Sequence, residues 1–134
     1  MSKFSCACGY VICDQTDSNP NKGELLSDRD YSSYFDWLAE ETNTYIAAAQ
    51  SNDVRAWLSN RGYSPAYPAE QLSHGEVLRD HLHSRFNQIV RDVYQCPSCD
   101  RMHVQGLQFK NFYSYILERD DTPVPFFSNP DTEF

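Results

Sequence analysis

Cys6-Ala7-Cys8-Gly9, near the N-terminus, and Cys96-Pro97-Ser98-Cys99-Asp100-Arg101, in the last third, decide how this chain is read. Each is a tight turn carrying two thiols, with strand-forming residues on both sides. Two such turns brought together supply four thiolates, the closed tetrahedral set of a structural Zn²⁺. The Cys-Pro-x-Cys half is the more specific. Its proline shapes the turn, and backbone N–H groups after the first cysteine are placed to donate to the sulfur. The Cys-x-Cys half is shorter than the usual spacing, and Gly9 eases the sharp turn after Cys8. Disulfides or inert buried thiols are the alternatives. One structural zinc held by Cys6, Cys8, Cys96 and Cys99 is the expectation, with everything between the two turns an insertion. Cys13 and His103 are substitute ligands, although Cys13 reads more simply as a small buried hydrophobe.

Phe4-x-Cys6-x-Cys8-Gly9-x-x-Ile12-x-Asp14, followed much later by Cys96-Pro97-x-Cys99-x-Arg101-x-His103-Val104, resembles small, largely uncharacterised bacterial proteins with a split zinc ribbon. The likeness covers residues 4–17 and about 93–117, and the helical middle is outside it. It implies a metal-held fold and no particular reaction. Some proteins of this build look like immunity partners of bacterial toxins.

The 134 residues amount to one domain's worth of chain, long enough to bury a core of its own. Met1-Ser2-Lys3-Phe4 leads into no apolar stretch of a signal peptide, and no apolar run is long enough to cross a membrane. The chain therefore reads as soluble and cytoplasmic. Its net charge of −8 is uneven: Asp14 to Asp53 holds nine acidic residues against Lys22 and Arg29. Direct nucleic-acid binding is disfavoured, since phosphate contacts need a basic surface. A basic protein partner is favoured, although a solvated acidic face also serves solubility alone.

Taken in order, residues 3–6 and 10–13 read as short strands around the first cysteine turn, and 14–27 as a polar loop. Residues 28 to about 50 form the clearest helix, capped by Ser27 or Asp28, with Tyr31, Tyr34, Phe35, Leu38, Tyr45, Ile46 and Ala49 as the inward stripe. That phase turns Asp36, Trp37, Glu40 and Glu41 outward, a candidate partner-binding surface with Trp37 as anchor. Packing of Trp37 within the chain is the plainer reading. A shorter helix, capped by Asn52 or Asp53, follows to about Asn60 and is closed by Gly62. Ser73-x-x-Glu76 is a capping box that starts a third helix, running to about Arg91. His74, His81 and His83 read as ordinary helix residues. Val93-Tyr94, 101–105 and 109–117 are strands, and 118–134 is an irregular acidic tail.

The expected fold is α+β: a single domain, residues 1–134, in which 1–17 and 93–117 form a small antiparallel zinc-ribbon sheet and 28–91 an inserted layer of about three helices. The expected function is non-enzymatic, a zinc protein binding a basic protein partner such as a toxin. A thiol-based redox sensor or metal-dependent enzyme is the rival.

Overall fold

The computed structural model describes residues 2–15, 19–108, 111–118 and 126–127. The chain is α+β. Length alone suggests one domain, but the chain divides into two compact units, Met1–Leu25 with Arg91–Phe134, and Leu26–Val90. The reason is physical: the buried residues fall into two clusters that share no member.

The first unit holds all six strands among the described residues. β1 (Ser2–Ser5) and β2 (Val11–Asp14) form one antiparallel hairpin. β3 (Lys22–Leu25), β4 (Arg91–Gln95), β5 (Met102–Gln105) and β6 (Phe112–Tyr115) form a second sheet in that spatial order. The single ribbon sheet read from the sequence is thus two sheets. Register places Lys22, Tyr94, His103 and Ser114 in one row across the larger sheet. Phe4 of β1 packs its ring on that row, 5.4 Å from Tyr94 and 5.0 Å from His103, and stacks on Phe112 at 4.9 Å. Asp14 of β2 accepts from the Tyr94 hydroxyl at 2.6 Å and from Lys22 Nζ at 2.7 Å. Lys22 also pairs with Asp92 at 3.3 Å. On the other face the Phe127 ring lies against Gly23, where a Cβ would collide with it. The expected tail lies outside the described residues except for Glu118, Phe126 and Phe127, as do Phe109 and Lys110 at the start of the expected last strand.

The second unit contains α1 (Asp28–Gln50), α2 (Val54–Ser59), a single 3₁₀ turn at Ala69–Gln71 and α3 (His74–Ile89). Ser27 caps α1 by accepting from the Asp30 N–H at 3.1 Å. The Ser73–Glu76 capping box opens α3, and Gly62 has φ +82° after α2. The core is Tyr45, Trp57, Leu58 and Val77, with Ala48, Leu72 and Leu78 packed around it. Tyrosine hydroxyls from the rest of the unit reach α3: Tyr34 donates to the Leu82 carbonyl at 3.1 Å, Tyr45 pairs with His74 Nδ1 at 2.9 Å, and Tyr67 donates to Asp80 at 2.9 Å. Burial and the Asp80 carboxylate push the Tyr67 hydroxyl up to about 12, which keeps it a donor. No helix among the described residues is long and apolar enough to cross a membrane.

The face of α1 that turns inward is only in part the expected stripe: Tyr34, Leu38, Tyr45 and Ala49 belong to it, and Tyr31, Phe35 and Ile46 do not. Tyr34 and Tyr45 are buried and Trp37, Leu38, Glu41 and Ala48 are half-buried, whereas Tyr31, Phe35 and Ile46 are 53%, 46% and 48% exposed. The stripe runs 34, 37/38, 41, 45, 48/49, at ordinary helical spacing, with a glutamate at its centre.

Candidate metal centre

Two turns carry the four cysteines, and they are built alike. In the first, the Cys6 N–H donates to the Tyr10 carbonyl at 2.8 Å and the Gly9 N–H returns to the Cys6 carbonyl at 2.9 Å. In the second, the Cys96 N–H donates to the Arg101 carbonyl at 2.9 Å and the Asp100 N–H to the Cys96 carbonyl at 2.9 Å. The residue after the second cysteine is left-handed in both, Gly9 at φ +93° and Asp100 at φ +59°. Glycine adopts that conformation freely; aspartate does so at a cost, here with its carboxylate accepting from Gln95 Nε2 at 3.3 Å.

The β1–β2 hairpin and the β4–β5 turn bring these ends together. The sulfurs of Cys6 and Cys99 are 3.5 Å apart and those of Cys8 and Cys96 3.7 Å. All four lie within 4.8 Å of one another. A zinc ion with sulfur bonds of about 2.3 Å needs tetrahedron edges of about 3.8 Å, so the spacing fits that ion closely. Cys6 and Cys96 are buried, Cys99 is half-buried and Cys8 is exposed. None of the cysteines is in a disulfide.

The surroundings favour thiolates at Cys6 and Cys8 and oppose one at Cys96. The Tyr10 N–H aimed at Cys8 pulls its thiol down to about 6, and the Cys8 N–H lowers Cys6 in the same way. Burial pushes Cys96 up to about 12, although the Ser98 and Cys99 N–H groups point at its sulfur and oppose the rise. A cation among the four removes that conflict, since a coordinated thiol is deprotonated outright. Arg101 Nη1 sits 3.6 Å from Cys99 Sγ, and its guanidinium also interacts with Cys6. A divalent ion held by four thiolates would carry net negative charge, which this guanidinium would offset. The sequence placed Arg101 inside the motif but gave it no role.

Neither substitute ligand belongs to the group. Cys13 is exposed on β2 and its sulfur is 4.0 Å from the Val11 carbonyl. His103 Nδ1 pairs with Ser114 Oγ at 2.8 Å, and its buried Nε2 has no hydrogen-bond partner.

The four residues of the expected partner surface separate into two pairs. Asp36 and Glu40 are exposed. Glu41 is turned inward: its side chain is 13% exposed, and it accepts from Arg61 at 2.5 and 3.0 Å and from His81 Nε2 at 2.7 Å. Trp37 packs against Tyr34 at 5.8 Å and His81 at 5.3 Å. Arg61 in turn lies 3.8 Å over the Trp57 ring, and the Tyr63 hydroxyl meets His81 Nδ1 at 3.2 Å. The correction follows from helix phase. Glu41 falls between Leu38 and Tyr45 on the buried stripe, and Arg61 and His81 supply the charge and donor that let a carboxylate stay there.

No curated protein and no solved structure matches the chain. A family model described as a domain of unknown function, DUF8617, matches residues 2–121, a span that takes in both cysteine turns and the helical unit between them. The chain belongs to the DUF8617 family.

Proposed function

We propose that this is a non-enzymatic zinc-binding protein whose metal is structural and whose role is to bind a basic protein partner. The single observation that carries the metal assignment is the set of four sulfurs within 4.8 Å of one another, near the edge lengths of a zinc–thiolate tetrahedron. Soft thiolates in that arrangement select zinc or iron, and four of them leave a tetrahedral ion no open position for a substrate. Mass spectrometry under non-denaturing conditions tests it: the chain should carry one zinc, and a folded chain without metal, or with iron, refutes it.

The net charge of −8 supports the partner class, and Asp36 and Glu40, the exposed carboxylates of the expected surface, are placed to contribute steering. An immunity protein against a basic toxin is one instance of that class, and the resemblance to split-ribbon proteins supports it. Asp36→Lys with Glu40→Lys should slow association with a partner captured by pull-down, most clearly at low salt. Association at the wild-type rate would reduce the acidic face to a solvated surface. The redox reading rests on Cys8, which is exposed and has a depressed thiol pKa. Rapid alkylation of Cys8 while zinc stays bound would favour it over the structural reading.

A further inference from the structure

β6 closes one side of the four-stranded sheet and, among the described residues, has no neighbour on its outer side. Its hydrogen-bonding groups can be assigned. The Gly106 N–H donates to the Asn111 carbonyl at 2.7 Å, and the Cys96 N–H to the Arg101 carbonyl at 2.9 Å. With Gln105 opposite Phe112 and Met102 opposite Tyr115, antiparallel alternation turns Tyr113 and Tyr115 toward β5. The backbone N–H and C=O of Phe112 and Ser114 then point away from the sheet, and those of Ile116 follow if the alternation continues.

Nothing in the sequence protects this edge. Natural sheets blunt such edges with charges, prolines or bulges. Here the run Phe112-Tyr113-Ser114-Tyr115-Ile116-Leu117 contains no charge and no proline. Tyr113, Tyr115, Ile116 and Leu117 are 57%, 58%, 71% and 56% exposed. The chain has 19 acidic residues, yet none lies between Arg101 and Leu117.

We propose that β6 pairs with β6 of a second copy of this chain, antiparallel about a two-fold axis at Ser114, joining two four-stranded sheets into one. Self-complementarity points to a second copy rather than to a foreign strand. An isologous contact requires one segment to match itself reversed. About Ser114, Tyr113 falls opposite Tyr115, and Phe112 opposite Ile116. The outward groups of Ser114 meet those of its counterpart, and those of Phe112 meet Ile116. In sequence, Lys110 and Glu118 stand four places before and after Ser114, a charge order that is its own complement when the segment runs antiparallel to itself. Elsewhere two copies of a chain carrying −8 repel each other, and this segment is where they meet without carboxylates. The basic partner proposed above finds no acidic residue on this edge, so the two surfaces are distinct.

Sedimentation velocity of the full zinc-loaded chain tests the pairing. The wild type should sediment as a dimer of the 15.5 kDa chain, with a concentration-dependent monomer fraction. Ile116→Pro removes one outward N–H per copy, hence two hydrogen bonds per dimer, and should weaken dimerisation at least about tenfold. Tyr115→Glu places a charge at an uncharged edge and should do the same. Mixing Tyr115→Glu with Tyr113→Lys should restore a heterodimer, because the register sets position 115 opposite 113. Zinc content reports whether each variant keeps its fold; if Ile116→Pro loses its metal, the two tyrosine variants decide. A wild type that stays monomeric at millimolar concentration, or a dimer that neither Ile116→Pro nor Tyr115→Glu weakens, overturns the proposal.

Discussion

Replacing Glu41 by alanine should destabilise the helical unit by about 3 kcal/mol. Glu41 is 13% exposed and its partners Arg61 and His81 are 23% and 10% exposed. Removing one member of a largely buried ion pair costs about 3–5 kcal/mol, because the other charge is left without compensation. Arg61 keeps the Trp57 ring at 3.8 Å and the Trp57 carbonyl and Thr44 hydroxyl at 3.2 Å, and is partly solvated, which selects the lower end. For a unit this small the loss corresponds to about 10–20 °C in Tm. Glu41→Gln retains a hydrogen bond without the charge and should cost roughly half as much. Asp36→Ala on the exposed side should stay within about 0.5 kcal/mol of wild type. Trp37 and Trp57, the two tryptophans of the chain, both lie in this unit, so their fluorescence follows its unfolding alone. The Arg61 hydrogen bond, with His81 adding to it against burial, holds the Glu41 carboxyl below its ordinary value. Its stabilisation should therefore be complete above the unfolded pKa of about 4.3 and be lost as pH falls through the lower folded value. If Glu41→Ala unfolds within about 0.5 kcal/mol of wild type, the carboxylate is a surface group and the account of this core is wrong.

Asp14→Asn should weaken the first unit by about 1–2 kcal/mol, since it removes the charge that holds Lys22 and leaves a single amide oxygen to accept from Tyr94; amide hydrogen exchange of β2 and β3 would show it. The same carboxyl is held low by Lys22 first and Tyr94 second, so its contribution should fade as pH drops below the ordinary carboxylate range. Gly9→Ala should cost about 1 kcal/mol through its φ of +93° alone, because nothing lies within 4 Å of the added Cβ. Asp100→Gly should gain up to about 1 kcal/mol, less the lost bond from Gln95; chelator titration of zinc release measures both. Chelation itself should open the strand unit while tryptophan fluorescence stays native. A chain in which Asn-Gly replaces residues 26–90 should still bind one zinc.

The cysteine turns were legible because each is a local signal: closely spaced thiols, a proline, a glycine. The same holds for the Ser27 cap and the Ser73–Glu76 box, where a few adjacent residues carry the whole geometry. β3 was not legible. Lys22-Gly23-Glu24-Leu25 has neither apolar alternation nor branched residues, and it is a strand because β4 pairs with it and Lys22 finds Asp14 and Asp92. The stripe of α1 was read correctly at Tyr34, Leu38, Tyr45 and Ala49 and misread at its edges for a related reason. Tyr31, Phe35 and Ile46 count as apolar in any periodicity, whereas Glu41 counts as a surface residue until Arg61 and His81 are known to face it. Those partners lie 20 and 40 positions away in sequence, so only the fold brings them together. His74 and His81 carried a usable hint. Their heptad spacing places both on one face of α3, and each meets a tyrosine hydroxyl there.

The excision experiment follows from how the chain passes between its two units. It leaves the first at Leu25 and returns at Arg91, and these two residues face each other in the β3–β4 register. The helical unit is thus an insertion at the tip of a β-hairpin, with its ends held a strand spacing apart. A two-residue turn can join the same ends, and Asn-Gly is the sequence that suits its backbone. Closing the long insertion costs more entropy than a short turn, but the cost grows only logarithmically with length. The first unit should therefore lose nothing essential when the insertion is removed. Its buried cluster is Cys6, Ile12, Tyr94 and Cys96, all supplied by strands and turns that remain. Half of that cluster is cysteine, with the Phe4 and Phe112 rings packed against it, so a metal ion held by the four thiols would add to what keeps the two cysteine turns together. Zinc binding by the excised chain would place the metal's stabilising role wholly within the strand unit. Failure to bind, with the hairpin turn shown by NMR to be formed, would mean that the helical unit contributes to the site.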